Sequence, residues 1–161
     1  MINNFISHIT ERGFFNQCTN TNLLNLVLKK PTIAYIGFDC TADSLHIGSL
    51  LPIMLLRAFQ KYGHAPIVLL GGGTTLIGDP SGKDETREIL TPEKINQNKN
   101  KLKTIFSKFL SFEDKKTPAK ILDNYEWIKN LNYVDFIRDI GSQFSVNRML
   151  TFESVRQRLA R

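Results

Sequence analysis

The chain has 161 residues, a length typical of one domain, and its 42% apolar fraction is enough for a substantial core. No stretch approaches the roughly 20 apolar residues of a membrane span, and the amino terminus lacks the features of a secretory signal, so no membrane association and a cytoplasmic location are expected. The formal net charge of +6 permits an anionic partner such as a nucleotide or RNA without demanding one. Cys18 and Cys40 fit no metal-binding spacing, which favours two free thiols.

The predicted elements alternate between helices and apolar strands. The first helix is expected at 3–12, and a second begins at Thr19 or Thr21 as its N-cap and ends before Pro31. Further helices are expected at 48–62, with Gly63 as the C-cap, and at 92–110. Several shorter helices are expected from Asn124 onward. Strands are expected at 32–38, 66–70 and 120–122. A strand, a helix and a second strand with a crossover of this length form a βαβ unit. The predicted fold class is therefore α/β, a doubly wound parallel sheet whose first two strands are buried on both faces.

The most informative motif is YIGFDCTADSLHIGS, which runs from Tyr35 to Ser49. It begins as a strand, breaks into a polar loop and enters a helix at or near 45–48. A helix amino terminus presents free backbone N–H groups and the positive end of the helix dipole, which suits phosphates. Gly48 lets a flat ring lie against the backbone, and His46 can donate to a phosphate oxygen. For His-Ile-Gly alone, a histidine that caps a turn is the plainer interpretation.

A second glycine-rich segment, predicted as a loop at 71–83, follows the second strand, where open α/β sheets place ligands. It matches neither the Walker phosphate loop, since no Ser or Thr follows Lys83, nor the dinucleotide fingerprint. Asp79 either caps the following turn or supplies a carboxylate to a ligand ammonium. Lys83 and Arg87 either share a helix face and clamp an anion or are ordinary solvated charges.

Three later segments add to these two motifs: NYEW at 124–127, FIRDIGSQFSVN at 136–147 and ESVRQR at 153–158. Together the five segments resemble bacterial and organellar tyrosyl-tRNA synthetases, class I enzymes on a Rossmann-like fold, from about Phe5 to the last residue. The resemblance implies that L-tyrosine reacts with ATP, accompanied by Mg²⁺, to give tyrosyl-adenylate, and that the tyrosyl group passes to tRNA(Tyr). The implied reaction needs no covalent enzyme intermediate, so the implied catalysis is by positioning and charge stabilisation.

The resemblance also implies individual roles. The implied catalytic residues, which contact the phosphates, are His46, Thr41, Lys83 and Arg87. The implied ATP-binding residues are Asp39, His46, Gly48 and Ser49. The implied tyrosine-binding residues are Tyr35, Gly37, Thr74, Asp79 and Asn124, and no metal ligand is implied. Tyr35 would hydrogen-bond the substrate phenol, the kind of contact by which tyrosyl-tRNA synthetases reject phenylalanine. Thr74 and Asp79 would bind the α-ammonium, and Trp127 would support the pocket, although a core role explains Trp127 equally well.

Departures from the family pattern concern ribose contacts and length. Ser49 replaces the usual second His or Asn of the motif, Ile36 stands where Cys is frequent, and Cys40 replaces Pro. A second tyrosine-binding segment, a Lys-Met-Ser-Lys-Ser-like loop and an anticodon-binding tail are absent from the 161 residues. The chain is therefore expected to be the N-terminal part of a catalytic domain with an incomplete sheet and little activity alone. The helices at 136–161 are the expected homodimer interface.

Two other functions remain open on the sequence. Another enzyme of this fold, such as a tryptophanyl-tRNA synthetase, would share the nucleotide motifs, although Tyr35 with Asp79 favours tyrosine. A synthetase-derived binding module without catalysis would account for Ser49, Ile36 and the short length. Such a module has no physical need for all five of the retained residues Asp39, His46, Asp79, Lys83 and Arg87.

Overall fold

The computed structural model describes residues 5–78, 90–152, 155, 156 and 159. The strands in this part of the chain are β1 (Ile33–Phe38), β2 (Ala65–Leu70) and β3 (Lys120–Asp123). The helices are α1 (Phe5–Glu11), α2 (Thr21–Val27), α3 (Leu50–Lys61), α4 (Gly72–Ile77), α5 (Pro92–Phe106), α6 (Tyr125–Ile128), α7 (Tyr133–Asp139) and α8 (Val146–Leu150). Short 3-10 turns at Ile47–Ser49 and Gly141–Gln143 precede α3 and α8. None of the helices described is long and apolar enough to cross a membrane.

The strands form one parallel sheet in the order β1-β2-β3. Phe38 pairs with Leu70, and Leu70 pairs with Asp123, so the three strands end at the same edge of the sheet. The chain passes through α3 between β1 and β2 and through α5 between β2 and β3. This arrangement confirms the predicted α/β class.

The main core lies between one face of the sheet and the helices α3 and α5. Its members are fully or almost fully buried; they include Phe38, Val68 and Leu70 from the strands, Ile53 and Leu56 from α3, and Ile95, Leu102 and Phe106 from α5. A second cluster packs α1 against α3 through Phe5, Ile9, Ala58 and Phe59. The helices that carry these residues therefore cover the same side of the sheet.

The predicted burial of both sheet faces is wrong. Ile33 and Tyr35 of β1 are 66% and 68% exposed, and Leu122 of β3 is 42% exposed. Their side chains point away from α3 and α5, towards solvent in the part of the chain that the structure describes. We call this side, formed by Ile33, Tyr35 and Leu122, the open face.

Several element boundaries also differ from the sequence prediction. Asn20, not Thr19 or Thr21, caps α2, because its side chain accepts from the N–H of Leu23 at 2.9 Å. The predicted C-cap glycine lies directly after the C-cap Tyr62 of α3, and its φ of +84° is the left-handed conformation that glycine adopts without strain.

The segment predicted as a glycine-rich loop begins as the helix α4. Asp123, the last residue of β3, and Asn124, which follows it, accept hydrogen bonds from the first N–H groups of α4. Sequence-local reasoning could not detect this capping, because the two acceptors come from a distant part of the chain.

Candidate active site

Polar segments leave β1, β2 and β3 side by side at the carboxyl edge of the sheet. The N–H of Gly71 donates to the carbonyl of Phe38 at 2.9 Å, and the N–H of Asn124 donates to the carbonyl of Leu70 at 3.0 Å. These two bonds extend the sheet register beyond the strands. The segments around Asp39, Gly71 and Asn124 are therefore held next to one another.

A cleft of about 620 Å³ opens beside the end of β1. Its lining residues are Gly37, Phe38, Asp39, Thr41, Ala42, Ser44, Leu45, His46, Gly48, Ser49 and Pro52. They include all four residues that sequence analysis expected to bind ATP and two of the four expected catalytic residues, His46 and Thr41. The structure thus gathers the expected nucleotide site in one place.

His46 is oriented by the backbone of its own turn. Its Nδ1 accepts from the N–H of Gly48 at 3.0 Å, so a neutral imidazole carries its proton on Nε2. The Nε2–H can therefore donate to a ligand from this exposed side chain. A Cβ on Gly48 would lie 2.7 Å from Cε1 of His46, so a larger residue at this position would displace the ring.

This geometry corrects the expectation that free helix N–H groups bind phosphate here. The N–H of Gly48 is already bonded to His46, and the N–H of Ser49 donates to the carbonyl of His46 at 2.9 Å. The imidazole, rather than these backbone groups, is the donor that the turn presents.

The residues expected to bind tyrosine fall into two sets. Thr74 and Asn124 are in contact: Nδ2 of Asn124 donates to Oγ1 of Thr74 at 3.2 Å, and Oδ1 of Asn124 accepts from Gly73 N–H at 2.8 Å. Tyr35 and Gly37 lie instead on the open face of β1, with no atom within 4 Å of a Cβ built on Gly37. The described residues that were expected to bind tyrosine are therefore one hydrogen-bonded pair and two positions on the open face.

Asp123 joins segments from β3, α4 and α5 at the carboxyl edge of the sheet, and sequence analysis missed this role. Its Oδ1 accepts from the N–H groups of Gly72 and Tyr125 at 3.1 and 3.0 Å, and its Oδ2 pairs with Nζ of Lys99 at 2.6 Å. The Lys99 and Asp123 side chains are only 14% and 15% exposed. An acidic residue at the end of a strand was the available signal, but its partners are far away in the sequence.

Cys40 lies fully buried behind the cleft. Its N–H donates to Oγ1 of Thr75 at 3.1 Å, and its carbonyl accepts from Nδ2 of Asn98 at 2.9 Å. Burial, aided by the negative charge of Asp123, raises the pKa of the Cys40 thiol to about 11, so the thiol is neutral near pH 7. Cys18 and Cys40 are both free thiols, as predicted.

Asn98 and Thr75 were also missed. The signal for Asn98 was a polar residue in the apolar stripe of α5, between Ile95 and Leu102. No comparable signal marked Thr75. Across the described ranges, no group of three or more His, Cys, Asp or Glu side chains could hold a metal ion.

Four further residues were singled out by the sequence analysis: Asp79, Lys83, Arg87 and Trp127. Asp79, Lys83 and Arg87 lie outside the described residues. Trp127 is 47% exposed, so the core role considered for it is wrong.

Comparison with known proteins places these features in one family. The model of the class I tRNA synthetases for tryptophan and tyrosine matches residues 28–161. The tyrosine–tRNA ligase of Pelagibacter ubique is 55% identical over 161 residues, which are 99% of this chain and 39% of the relative. The tyrosine–tRNA ligase of Rhodospirillum rubrum is 56% identical over 158 residues, which are 98% of this chain and 38% of the relative. The chain thus spans about two fifths of the length of these curated relatives.

Solved structures agree on the fold. A C-terminally truncated mitochondrial tyrosyl-tRNA synthetase from Aspergillus nidulans superposes with a TM-score of 0.83 at 27% identity, covering 97% of this chain and 47% of that one. The tryptophanyl-tRNA synthetase of Plasmodium falciparum superposes with a TM-score of 0.59 at 17% identity, covering 89% of this chain and 36% of that one. The second likeness shows the fold alone.

Proposed function

Because the chain belongs to the class I tRNA synthetases for tryptophan and tyrosine, we propose that it is the N-terminal part of the catalytic domain of a tyrosine–tRNA ligase. The reaction is the activation of L-tyrosine by ATP, followed by transfer of the tyrosyl group to tRNA(Tyr). The observation that carries the proposal is the single cleft that Asp39, Thr41, His46, Gly48 and Ser49 line at the end of β1. We propose the cytoplasm as its compartment, because ribosomes consume charged tRNA there.

In the activation step, a carboxylate oxygen of tyrosine bonds to the α-phosphorus of ATP, and the bond to pyrophosphate breaks with its electrons on the leaving group. The Nε2–H of His46 donates to a phosphate oxygen and stabilises charge that grows in the transition state. The Thr41 hydroxyl donates to the departing phosphates, and Asp39 lies beside the α-amino group and the nucleotide. Lys83 and Arg87 bind the pyrophosphate through their positive charges.

Mg²⁺ belongs to this reaction as the counter-ion of ATP. It neutralises part of the phosphate charge when the nucleotide binds. Among the described residues, no group of three or more His, Cys, Asp or Glu side chains could hold the ion.

Tyrosine binds beside the nucleotide and against the open face. The Tyr35 hydroxyl bonds to the substrate phenol, and Gly37 leaves space above the sheet because it has no side chain. The substrate ammonium meets Thr74, which Asn124 orients at 3.2 Å, and Asp79. A phenylalanine ligand would leave the Tyr35 hydroxyl without its partner, which disfavours its binding.

We also propose that residues 136–161 form a homodimer interface. None of the residues in α7 or α8 is buried. The exposed large apolar side chains of this region include Phe136, Ile137, Ile140, Phe144, Val146, Met149, Leu150 and Phe152. Such a concentration of exposed apolar side chains in one segment is typical of a subunit interface. Sedimentation of a folded, longer protein that contains this chain tests the proposal: a dimer is expected, and a strict monomer would contradict it.

The activation proposal can be tested by a chimera. This chain replaces the matching segment of the Rhodospirillum rubrum ligase, to which it is 56% identical over 158 residues. We expect tyrosine-dependent exchange between pyrophosphate and ATP, with the parental ligase as the positive control and the 161-residue chain alone as the weakly active or inactive control. A chimera that melts cooperatively, like the parent, but forms no tyrosyl-adenylate would contradict the proposed function.

A further inference from the structure

Cys40 stands between two residues that line the nucleotide cleft. Asp39 and Thr41 are exposed in the cleft, whereas the side chain of Cys40 is fully buried on the opposite side of the chain. The three residues are consecutive, so any rotation of the Cys40 backbone moves its two neighbours. The placement of Asp39 and Thr41 therefore depends on what holds Cys40.

Two buried side chains hold the backbone of Cys40, one on each side. Oγ1 of Thr75, from α4, accepts from its N–H at 3.1 Å, and Nδ2 of Asn98, from α5, donates to its carbonyl at 2.9 Å. Thr75 is 7% exposed and Asn98 is fully buried. The N–H lies in the peptide plane shared with Asp39, and the carbonyl lies in the plane shared with Thr41. The pair of bonds thus fixes the peptide planes before and after Cys40.

Asn98 lies at a buried position where an apolar side chain would have a smaller desolvation cost. It lies on the buried face of α5 with Ile95 and Leu102, and its Oδ1 is buried with no hydrogen-bond partner. A buried polar atom without a partner destabilises the folded chain. The hydrogen bond from Nδ2 to Cys40 is the contact for which the amide is required.

We propose that Thr75 and Asn98 are positioning residues for tyrosine activation, which hold the Cys40 backbone so that Asp39 and Thr41 stay aligned in the cleft. The inference rests on the proposed function. Thr75 and Asn98 act through Cys40 and need no contact with substrate. A displacement of about 1 Å at a reacting group can lower a rate about 100-fold, so the loss of either hydrogen bond should be visible in kcat.

The first test measures the reactivity of the Cys40 thiol in the 161-residue chain. In the unchanged chain a disulfide reagent should modify the partly exposed Cys18 and spare Cys40, which is buried and neutral. Thr75→Val and Asn98→Leu should raise the modification rate of Cys40 at least about tenfold, because the local structure opens more often. Peptide mass spectrometry separates the two sites.

Matched variants distinguish the hydrogen bonds from general effects of substitution. Thr75→Ser keeps the hydroxyl and should retain the slow Cys40 modification of the unchanged chain. Asn96→Leu places the same new side chain on an exposed position of α5 and should also leave Cys40 protected. Unaltered Cys40 modification in both Thr75→Val and Asn98→Leu would overturn the proposal.

The second test uses the chimera with the Rhodospirillum rubrum ligase. Thr75→Val and Asn98→Leu should lower kcat for pyrophosphate exchange by about 10- to 100-fold, because Asp39 and Thr41 are no longer aligned in the transition state. The KM for ATP should change less. Thr75→Ser should restore most of kcat. Asn98→Leu removes the unpartnered Oδ1 but also leaves the Cys40 carbonyl without its donor. These two effects oppose each other, so the melting temperature of the Asn98→Leu chimera should change little.

A purely structural role gives a different pattern. In that case the melting temperature falls, and kcat per folded molecule stays at the unchanged value, which would overturn the inference. An inactive chimera without substitutions would instead count against the proposed function, while the thiol test would still decide whether Thr75 and Asn98 hold Cys40.

Discussion

The two faces of the sheet differ in what covers them. On the covered face, Phe38, Val68 and Leu70 are at most 7% exposed beneath α3 and α5. On the open face, Ile33 and Tyr35 are about two thirds exposed. Apolar composition is similar on both faces, so it does not reveal which one is covered. Which face is covered depends on the side of the sheet on which the crossover helices α3 and α5 lie.

The same contrast divides the candidate active site. The nucleotide side has an oriented imidazole at His46 and a backbone at Cys40 that two buried side chains hold. The proposed tyrosine side has Tyr35 on the open face and, among the described residues, one hydrogen-bonded pair, Thr74 with Asn124. We therefore expect substitutions on the two sides to have different consequences.

The largest expected effect on stability comes from truncating the covered face. Leu102→Ala removes a fully buried side chain and should lower the free energy of unfolding by about 2–5 kcal/mol. Leu122→Ala, on the open face, should cost less than about 1 kcal/mol, because its side chain is already 42% exposed. Urea unfolding of the 161-residue chain measures both, and equal losses would contradict the difference between the faces.

The next largest effect concerns the nucleotide side. His46→Ala in the chimera should lower kcat for adenylate formation by about 100- to 1,000-fold, because one donor to the transition state is lost. His8→Ala, at a histidine of α1 outside the cleft, is the matched control and should leave kcat unchanged. Pre-steady-state quenching separates adenylate formation from product release. Full activity of the His46→Ala chimera would instead favour a scaffold role for this segment.

The third prediction concerns alkaline pH and the interior behind the cleft. Burial raises the pKa of the Cys40 thiol from an ordinary value of 9.0 to about 11. Above the ordinary value the unfolded chain loses this proton first. The protonated Cys40 thiol therefore makes its full contribution to the free energy of unfolding below about pH 9. This contribution declines by about 2–3 kcal/mol as the pH rises to about 11.

Comparison of variants isolates this contribution from other groups that titrate at high pH. Cys40→Ala should flatten the decline in the free energy of unfolding between pH 9 and 11, whereas Cys18→Ala should retain it. Urea unfolding at a series of pH values gives the slopes. The same slope in both variants would show that Cys40 does not titrate in a buried site.

The smallest effect is expected at the junction between β3 and α4. Asp123→Ala removes the acceptor for the Gly72 N–H and the partner of Lys99, and it should lower the free energy of unfolding by about 1–2 kcal/mol. Asp123→Asn keeps one acceptor oxygen and should cost less. Asp139→Ala, which breaks an exposed pair with Arg138, serves as the control and should have almost no effect. Thermal unfolding that ranks the three variants differently would contradict the capping role.

Patterns that are local in sequence predicted much of the fold. The apolar runs marked all three strands, and Pro92 after the capping residue Thr91 marked the start of α5. The polar run after β1 also indicated where the cleft lies. In each case the physical cause acts within a few residues.

The features that sequence did not reveal depend on contacts between distant segments. The capping of α4 by Asp123 joins segments 51 residues apart, and the bond from Asn98 to Cys40 spans 58 residues. The exposure of Tyr35 depends on which side the crossover helices occupy. None of these relations leaves a periodic pattern in the chain.

The central claim is that the cleft beside β1 holds ATP with its phosphates on His46. A crystal structure of the chimera with ATP and tyrosinol tests it directly. We predict a phosphate oxygen within about 3.2 Å of Nε2 of His46, while Nδ1 keeps its bond to the N–H of Gly48. A nucleotide bound outside this cleft, or an imidazole turned so that Nδ1 meets the phosphate, would contradict the account.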